Sequence, residues 1–338
     1  MNGEFAFIHR IRERAQQCCA SAPELTLGIG DDAAIFQPRA GRELLVTTDL
    51  LVEDVDFKLE YAVPRWLGHK ALAVSLSDIA AMGGAPRHAL LTLAIPPYVQ
   101  TETFWEEFFD GYFALAESCG VTLIGGDISA TPHGLAVDSL VIGDCATGRA
   151  LRRSGARVGD GVYVTGHLGA SAAGLQLLLR GTRVNEAEDS LVQRALRAHL
   201  RPDARTVFGQ QLGERGLAHA LIDVSDGLVQ DLAHLCEESH CSAVLDFDAV
   251  PSAEAVTLVT SDATAAFQLA VSGGEDFELL FTAATQHDAA LRQLARECDL
   301  PLARIGEIVA PDATAQVFLR TADSLTPLPA RGYDHFKV

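Results

Sequence analysis

Six short segments place aspartate or glutamate beside glycine, serine or threonine, and these residue types bind hard cations and phosphate. In the first, "LGIGDDAAIF" (Leu27–Phe36), a glycine turn precedes Asp31 and Asp32. Glycine turns let backbone N–H groups approach an anion, but two adjacent carboxylates repel phosphate. A divalent cation removes this conflict, because it binds carboxylate oxygens on one side and phosphate oxygens on the other. The other segments are "VTTDLLVEDVDF", "SLSDIAAMGG", "LIGGDIS", "LIDVSDGLVQD" and "VSGGEDFELLF".

Each acidic segment also has a purely structural interpretation. Leu44–Val46 are expected to be buried in a strand, so Thr47, Thr48 and Asp49 after them lie either at its ligand-binding carboxyl end or in an ordinary turn. Asp78, in an otherwise apolar helical segment, is either a metal ligand or a solvent-facing residue on the same polar stripe as Ser75. Asp127 follows a strand and two glycines, where the backbone can approach a ligand or form a hairpin.

Asp223 and Asp226 flank Ser225 in the segment "LIDVSDGL". Serine or aspartate at a helix N-cap explains this spacing without a ligand. A helix N-terminus also attracts phosphate, so both interpretations can hold.

The number of acids bears on the choice between these interpretations. Two carboxylates about 4 Å apart repel by about 4 kcal/mol at an effective dielectric constant of about 20. Five or six acids gathered at one site therefore need a divalent cation, whereas dispersed acids need none.

The composition limits the classes of partner. The chain has 338 residues, and 45 acidic residues against 26 lysines and arginines give a formal charge of −19, which argues against binding nucleic acid or an anionic membrane. Seven scattered cysteines without a C-x-x-C pair predict reduced thiols and a cytoplasmic location, and no run of 18 apolar residues predicts a membrane span.

Arg149, Arg152 and Arg153 form either a phosphate-binding group or a solvated linker.

Strand-like and helical segments alternate along the chain, which predicts an α/β protein. The length favours two domains, and we place them at residues 1–148 and 149–338. Strands are predicted at 43–48, 88–95, 121–124, 135–145, 221–224, 243–247, 268–271, 277–282, 303–308 and 316–320, and a new strand begins at "GVYVTG". Helices are predicted at 4–17, 66–82, 101–119, 170–179, 187–199, 203–215, 228–238 and 286–297.

The set of motifs resembles the thiamine-monophosphate kinase family, part of the superfamily that includes aminoimidazole-ribonucleotide synthetase. Besides the acidic segments, the resemblance includes "GEFAFI", "GHKALAVSLSDIAAMG", "GRALRRSGARVGD", "HLRPDAR" and "GYDHF", along nearly the full chain. It implies a two-domain α/β fold with mixed sheets, whose N-terminal domain dimerises through its sheet. It also implies that ATP and several magnesium ions bind between the domains. The reaction implied is direct transfer of the γ-phosphoryl group to thiamine monophosphate, with no protein nucleophile.

The resemblance implies three sets of site residues, carried over motif by motif. The metal ligands are Asp32, Thr47, Thr48, Asp49, Asp78, Asp127, Asp223 and Asp226. The nucleotide contacts are Gly126, Asp127, Arg153 and Ser225. The substrate-lining positions are Asp56, Glu275 and Ala330.

Two of these positions depart from the family pattern. Asp56 stands where members often have histidine, and Ala330 where many have an aromatic residue, commonly tryptophan. A negative Asp56 can still favour the cationic thiazolium ring of thiamine monophosphate. The alternatives are a paralogue that uses ATP to phosphorylate or activate a different small molecule, and a nucleotide-binding regulator without turnover.

Overall fold

The computed structural model describes residues 4–18, 22–330 and 332. The chain forms two compact units: the first comprises Met1–Ile79 and Gly84–Gly148, and the second comprises Ala80–Gly83 and Arg149–Val338. Within the described ranges, no helix has the length and apolar content that a membrane span requires.

The first unit contains a four-stranded mixed sheet in the order β3-β6-β4-β5, with β4 and β5 parallel and the other pairs antiparallel. A small antiparallel pair, β1 and β2, precedes it. Buried aromatic residues of α3, including Trp105, Phe108 and Tyr112, form much of the core. The elements are α1 (Glu4–Cys18), β1 (Leu25–Leu27), β2 (Ile35–Phe36), β3 (Arg42–Val52), α2 (Pro64–Ala81), β4 (Ala85–Ile95), α3 (Glu102–Cys119), β5 (Thr122–Ala130) and β6 (Ala136–Ala146).

The second unit contains a seven-stranded sheet in the order β13-β12-β9-β11-β7-β10-β8, in which only the β12–β9 pair is parallel. Strands β7 and β10, and β8 at the edge of the sheet, are buried along their whole length, which explains their continuous apolar sequences. The elements are β7 (Gly161–Thr165), α4 (Ala170–Leu179), α5 (Leu191–Leu200), α6 (Thr206–Arg215), β8 (Ala220–Asp223), α7 (Leu228–Ser239), β9 (Ser242–Asp246), α8 (Ala263–Ser272), β10 (Leu279–Ala283), α9 (Asp288–Glu297), β11 (Leu302–Val309), β12 (Val317–Arg320) and β13 (Leu325–Pro327).

The mixed α/β fold class is confirmed, but several predicted elements need correction. The strand predicted at 268–271 is wrong, because these residues belong to α8. That helix begins after Asp262, whose carboxylate accepts a hydrogen bond of 2.8 Å from the N–H of Ala265. The helix predicted from residue 187 begins at Leu191, after the N-cap Ser190. Propensity alone did not reveal either cap.

Candidate metal and nucleotide site

The first acidic group lies in the middle of a strand. Thr47 and Asp49 belong to β3, which continues to Val52, so the prediction that they lie at the carboxyl end of a strand is wrong. Asp49 is paired with Ser139 of β6. Alternation along the strand places Thr47 and Asp49 on the same face as the buried Leu45 and Leu51. Leu44 and Val46 lie on the other face and are exposed, so the prediction that they are buried is wrong.

Helix α2 supplies the partners of these two residues. The hydroxyl of Thr47 donates a hydrogen bond to Oδ2 of Asp78. Ser75 Oγ lies 2.8 Å from Oδ2 of Asp49 and 2.6 Å from the carbonyl oxygen of Ser139. Ser75 is fully buried, so the interpretation of Asp78 as a residue on an exposed polar stripe with Ser75 is wrong.

The surroundings of Asp49 disfavour the negative charge of its carboxylate. Burial is the largest cause that raises its pKa, which reaches about 6, and the negative charges of Asp78 and Asp138 raise it further, against the Ser75 hydrogen bond. A cation beside this carboxylate would reverse the effect of its acidic neighbours. Sequence reasoning missed Asp138, which accepts a hydrogen bond from the predicted metal ligand Thr48. The cross-strand pairing that brings Asp138 here is not visible in the linear sequence.

A cavity of about 350 Å³ brings together a second group of predicted residues. Asp31 and Asp32 of the glycine turn line it, together with Gly126 and Asp127 of β5 and apolar residues of α1. A Cβ atom on Gly126 would lie 1.9 Å from the carbonyl oxygen of Leu91, so only glycine permits this strand spacing. Because β5 continues through Gly126 and Asp127 to Ala130, the hairpin interpretation is wrong.

The acids of the second unit surround the loop between β8 and α7. Asp231 accepts hydrogen bonds from the N–H groups of Ser225, Asp226 and Gly227 at 3.1, 3.2 and 3.1 Å. The N-cap of α7 is Gly227, without a side-chain cap, so the prediction of a serine or aspartate cap is wrong. Burial, and then the charges of Asp223 and Asp226, raise the pKa of Asp231 to about 8. Asp231 therefore holds the backbone of this loop in place, a role that the sequence analysis did not predict.

Glu275 lies beside this loop and has a left-handed backbone, with φ of 63°. Its N–H donates a hydrogen bond of 2.8 Å to the carbonyl oxygen of Ser225. The side chain is 31 % exposed, and its Oε2 lies 3.1 Å from Nδ1 of His199. Glu275 is therefore placed by backbone and side-chain contacts.

The remaining predicted residues occupy loops. Arg153 is exposed, as are Arg149 and Arg152. The carboxylate of Asp56 accepts a hydrogen bond of 2.8 Å from the N–H of Val52 and so closes its own loop. Ala330 is exposed, and the closing motif "GYDHF" lies outside the described residues except for Gly332.

The arrangement fits a metal that is shared with phosphate. Among the residues that the structure describes, no three Asp, Glu, His or Cys side chains are grouped closely enough to enclose an ion by themselves. Magnesium needs no such cage, because one or two carboxylates, water and phosphate oxygens complete its six ligands. The Asp49 and Asp78 carboxylates, with their mutual repulsion, meet this requirement.

Comparison with known proteins agrees with this chemistry. Residues 30–149 match the N-terminal domain of AIR synthase related proteins, and residues 157–317 match their C-terminal domain. Thiamine-monophosphate kinase of Salmonella typhimurium is 40 % identical over 99 % of this chain and 98 % of its own length. The chain belongs to the thiamine-monophosphate kinase family.

Solved structures of this family share the fold. Thiamine-monophosphate kinase from Stenotrophomonas maltophilia is 40 % identical, with a TM-score of 0.83 over 94 % of this chain and 96 % of that one. A structure described as AaThiL complexed with AMPPCP and TMP is 30 % identical, with a TM-score of 0.75 over 99 % of this chain and 97 % of that one. The family resemblance of the sequence is thus confirmed.

Proposed function

We propose that this protein phosphorylates thiamine monophosphate to thiamine diphosphate with ATP as the phosphoryl donor and magnesium as the cofactor. The observation that carries the proposal is the similarity, over 99 % of the chain, to a family member described as complexed with AMPPCP and TMP. AMPPCP is a non-hydrolysable ATP analogue, so that pair of ligands represents a phosphoryl donor and its acceptor.

The proposed reaction suits a site made of acids and glycines. An oxygen of the acceptor phosphate attacks the γ-phosphorus, and the bond to the β-phosphate oxygen breaks. The acceptor is already ionised, so alignment and neutralisation of charge matter more than a protein nucleophile or strong base. Magnesium, when bound, neutralises the charge of the two phosphoryl groups.

The protein's own residues orient the carboxylates and bind the phosphates. Thr47, through its bond to Asp78, orients that carboxylate, and Ser75 does the same for Asp49. Gly126 is exposed and has no side chain, so its backbone can approach phosphate beside Asp127. The proposed ligands of magnesium are Asp32, Thr47, Thr48, Asp49, Asp78, Asp127, Asp223 and Asp226, with Arg153 and Ser225 as further nucleotide contacts.

For the acceptor we propose that Glu275 binds the cationic part of thiamine monophosphate. Asp56 and Ala330 stand at the remaining acceptor positions. Because the Asp56 carboxylate bonds to the N–H of Val52, we propose that Asp56 shapes the loop at 52–57. A panel of acceptors therefore belongs in the assay.

We also propose a homodimer formed through the sheet of the first unit. Leu44, Val46 and Leu50 of β3 are 45, 63 and 59 % exposed, whereas Leu45 and Leu51 are buried. An exposed face with three large apolar residues, interrupted only by Thr48, is typical of a protein interface. A second copy of the chain would remove it from water.

We also propose a cytoplasmic location, which is supported by the free thiols of Cys119, Cys145, Cys236, Cys241 and Cys298.

Incubation of the purified protein with ATP, magnesium and thiamine monophosphate, followed by chromatography, tests the proposed function. We expect thiamine diphosphate to form, and chelation of magnesium to stop its formation. ATP turnover with another acceptor of the panel, and none with thiamine monophosphate, would favour a paralogue with a different substrate. ATP binding without turnover of any acceptor would indicate a regulator.

A further inference from the structure

The three acids of the segment "GEDFE" differ in what they contact. Asp276 accepts hydrogen bonds from the N–H groups of Gly169 and Ser171 at 2.7 and 3.2 Å. Glu278, which is buried, accepts hydrogen bonds from Thr165 and from Nε of Arg205 at 2.6 and 2.8 Å. These two acids hold the local fold together, whereas the side chain of Glu275 remains 31 % exposed.

A buried histidine contacts the partly exposed carboxylate of Glu275. Nδ1 of His199, a residue only 4 % exposed near the end of α5, lies 3.1 Å from Oε2 of Glu275 and 3.0 Å from Oγ of Ser171. An ionised carboxylate only accepts hydrogen bonds, so a hydrogen bond to Glu275 uses the single hydrogen of Nδ1, which also lies within reach of Oγ of Ser171. Ser171 is itself held, because its N–H bonds to Asp276. His199 therefore has a fixed position from which to orient Glu275.

The backbone at Glu275 requires such support. A non-glycine residue with φ of 63° is held in a sparsely populated conformation, which the surrounding contacts must stabilise. The preceding Gly274 is tightly packed, since a Cβ there would lie 2.6 Å from the carbonyl oxygen of Ser225. The backbone thus projects the Glu275 side chain in one direction, and His199 fixes its carboxylate.

We propose that His199, supported by Ser171, is a positioning residue that orients the Glu275 carboxylate toward the acceptor. The inference rests on the proposed function, in which Glu275 binds the cationic part of thiamine monophosphate. A carboxylate that is already oriented loses less conformational entropy on binding, so His199 strengthens acceptor binding and leaves ATP binding unchanged.

Substitutions at one position separate this role from simple packing. His199→Asn retains an N–H donor close to the place of Nδ1, whereas His199→Leu fills a similar volume without any donor. Because a hydrogen bond to a charged group contributes about 1.5–3 kcal/mol, we expect His199→Leu to raise the KM for thiamine monophosphate by about tenfold or more. We expect the KM for ATP and kcat to stay within about twofold of the wild-type values, and His199→Asn to restore most of the loss.

A double-mutant cycle with Glu275→Gln tests whether the histidine acts through the glutamate. Once Glu275→Gln is present, His199→Leu should have little further effect on the KM for thiamine monophosphate. Ser171→Ala, a milder change that keeps the histidine, should raise the same KM by less. If His199→Leu fails to fold, the acceptor KM of the two other variants tests the inference. This KM should rise in Ser171→Ala and stay close to the wild-type value in His199→Asn.

The outcomes are distinguishable. A wild-type protein that forms no thiamine diphosphate contradicts the proposed function and the inference with it. A wild-type protein that turns over, with an unchanged acceptor KM in His199→Leu and Ser171→Ala, overturns the inference alone. Equal losses for the Asn and Leu variants, with KM for both substrates raised alike, would mean that His199 only packs.

Discussion

The N–H of Glu275 donates a hydrogen bond of 2.8 Å to the carbonyl oxygen of Ser225, and the N–H of Phe277 donates one of 2.9 Å to that of Val224. The segment that carries the proposed acceptor-binding glutamate is therefore joined by its backbone to the loop that carries Asp223 and Asp226. A movement of one segment displaces the other, so their spacing is a property of the fold.

Arg205 is expected to be essential for the stability of the second unit. Its guanidinium forms two hydrogen bonds to the carboxylate of Glu278, whose side chain is only 5 % exposed. Arg205→Ala leaves that charge buried and unpaired, so we expect the free energy of unfolding in urea to fall by about 3–5 kcal/mol. Arg215→Ala, which removes an exposed pair with Glu297, is the control and should have little effect. Equal losses in both variants would contradict the assignment.

The raised pKa of Asp276 should make the free energy of unfolding depend on pH. Burial raises its pKa from 3.8 to about 7, against the N–H groups of Gly169, Ser171 and Ala170, which lower it. Protonated Asp276 therefore stabilises the folded state, fully below about pH 4, and this contribution is lost as the pH rises through 7. The free energy of unfolding of the wild type minus that of Asp276→Asn should fall over this range, by up to about 1.4 kcal/mol per pH unit.

Urea titrations at several pH values between 4 and 8 measure this difference. Asp323→Asn, in the exposed loop before β13, controls for the general effect of pH on the protein. A difference between wild type and Asp276→Asn that is constant, or that increases with pH, would show that Asp276 is ionised throughout.

Substitution of Asp78 should weaken metal binding and have little effect on the stability of the metal-free protein. Removal of its charge relieves the repulsion on Asp49, so we expect Asp78→Asn without magnesium to be at least as stable as the wild type. Magnesium with AMPPCP should raise the melting temperature of the wild type by ligand linkage, and raise that of Asp78→Asn much less. Asp110→Asn, in an exposed ion pair with Arg14, should respond like the wild type. An equal response of Asp78→Asn would remove it from the metal site.

The apolar face of β3 should determine the oligomeric state. Val46→Asp places a charge in the centre of the proposed interface, so we expect light scattering to show a shift from dimer to monomer. Val158→Asp, at an equally exposed apolar residue of the second unit, should leave the dimer intact. A wild-type protein that is monomeric at micromolar concentration would contradict the proposed interface.

The sequence predicted most strands of the two large sheets, because apolar alternation and buried runs are local signals, but it missed the short strands β1, β2 and β13. Its predictions were wrong where an apolar run fits both a helix and a strand, and where the extent of a strand depends on its pairing partner. The apolar run at 268–271 resembles a strand, and only the cap at Asp262 and the packing of α8 decide for a helix. The extension of β3 to Val52 depends on its pairing with β6, which no local pattern encodes.

The candidate site was predictable in its residue types and only partly in its contacts. The motif order identified Asp49 and Asp78, but their partners Ser75, Thr47 and Asp138 depend on how β3, β6 and α2 pack. Asp231 stands eight positions after Asp223, and only the structure shows that it accepts hydrogen bonds from three successive backbone N–H groups.

The most direct test of the central claim is ³¹P nuclear magnetic resonance of a reaction mixture that contains the protein, ATP, magnesium and thiamine monophosphate. We predict that the monoester resonance of the acceptor disappears as a diphosphate resonance appears, with ADP formed in equal amount and no free phosphate. Asp49→Asn should be folded and show neither change. ADP and inorganic phosphate formed while thiamine monophosphate persists, or full transfer by Asp49→Asn, would contradict the claim.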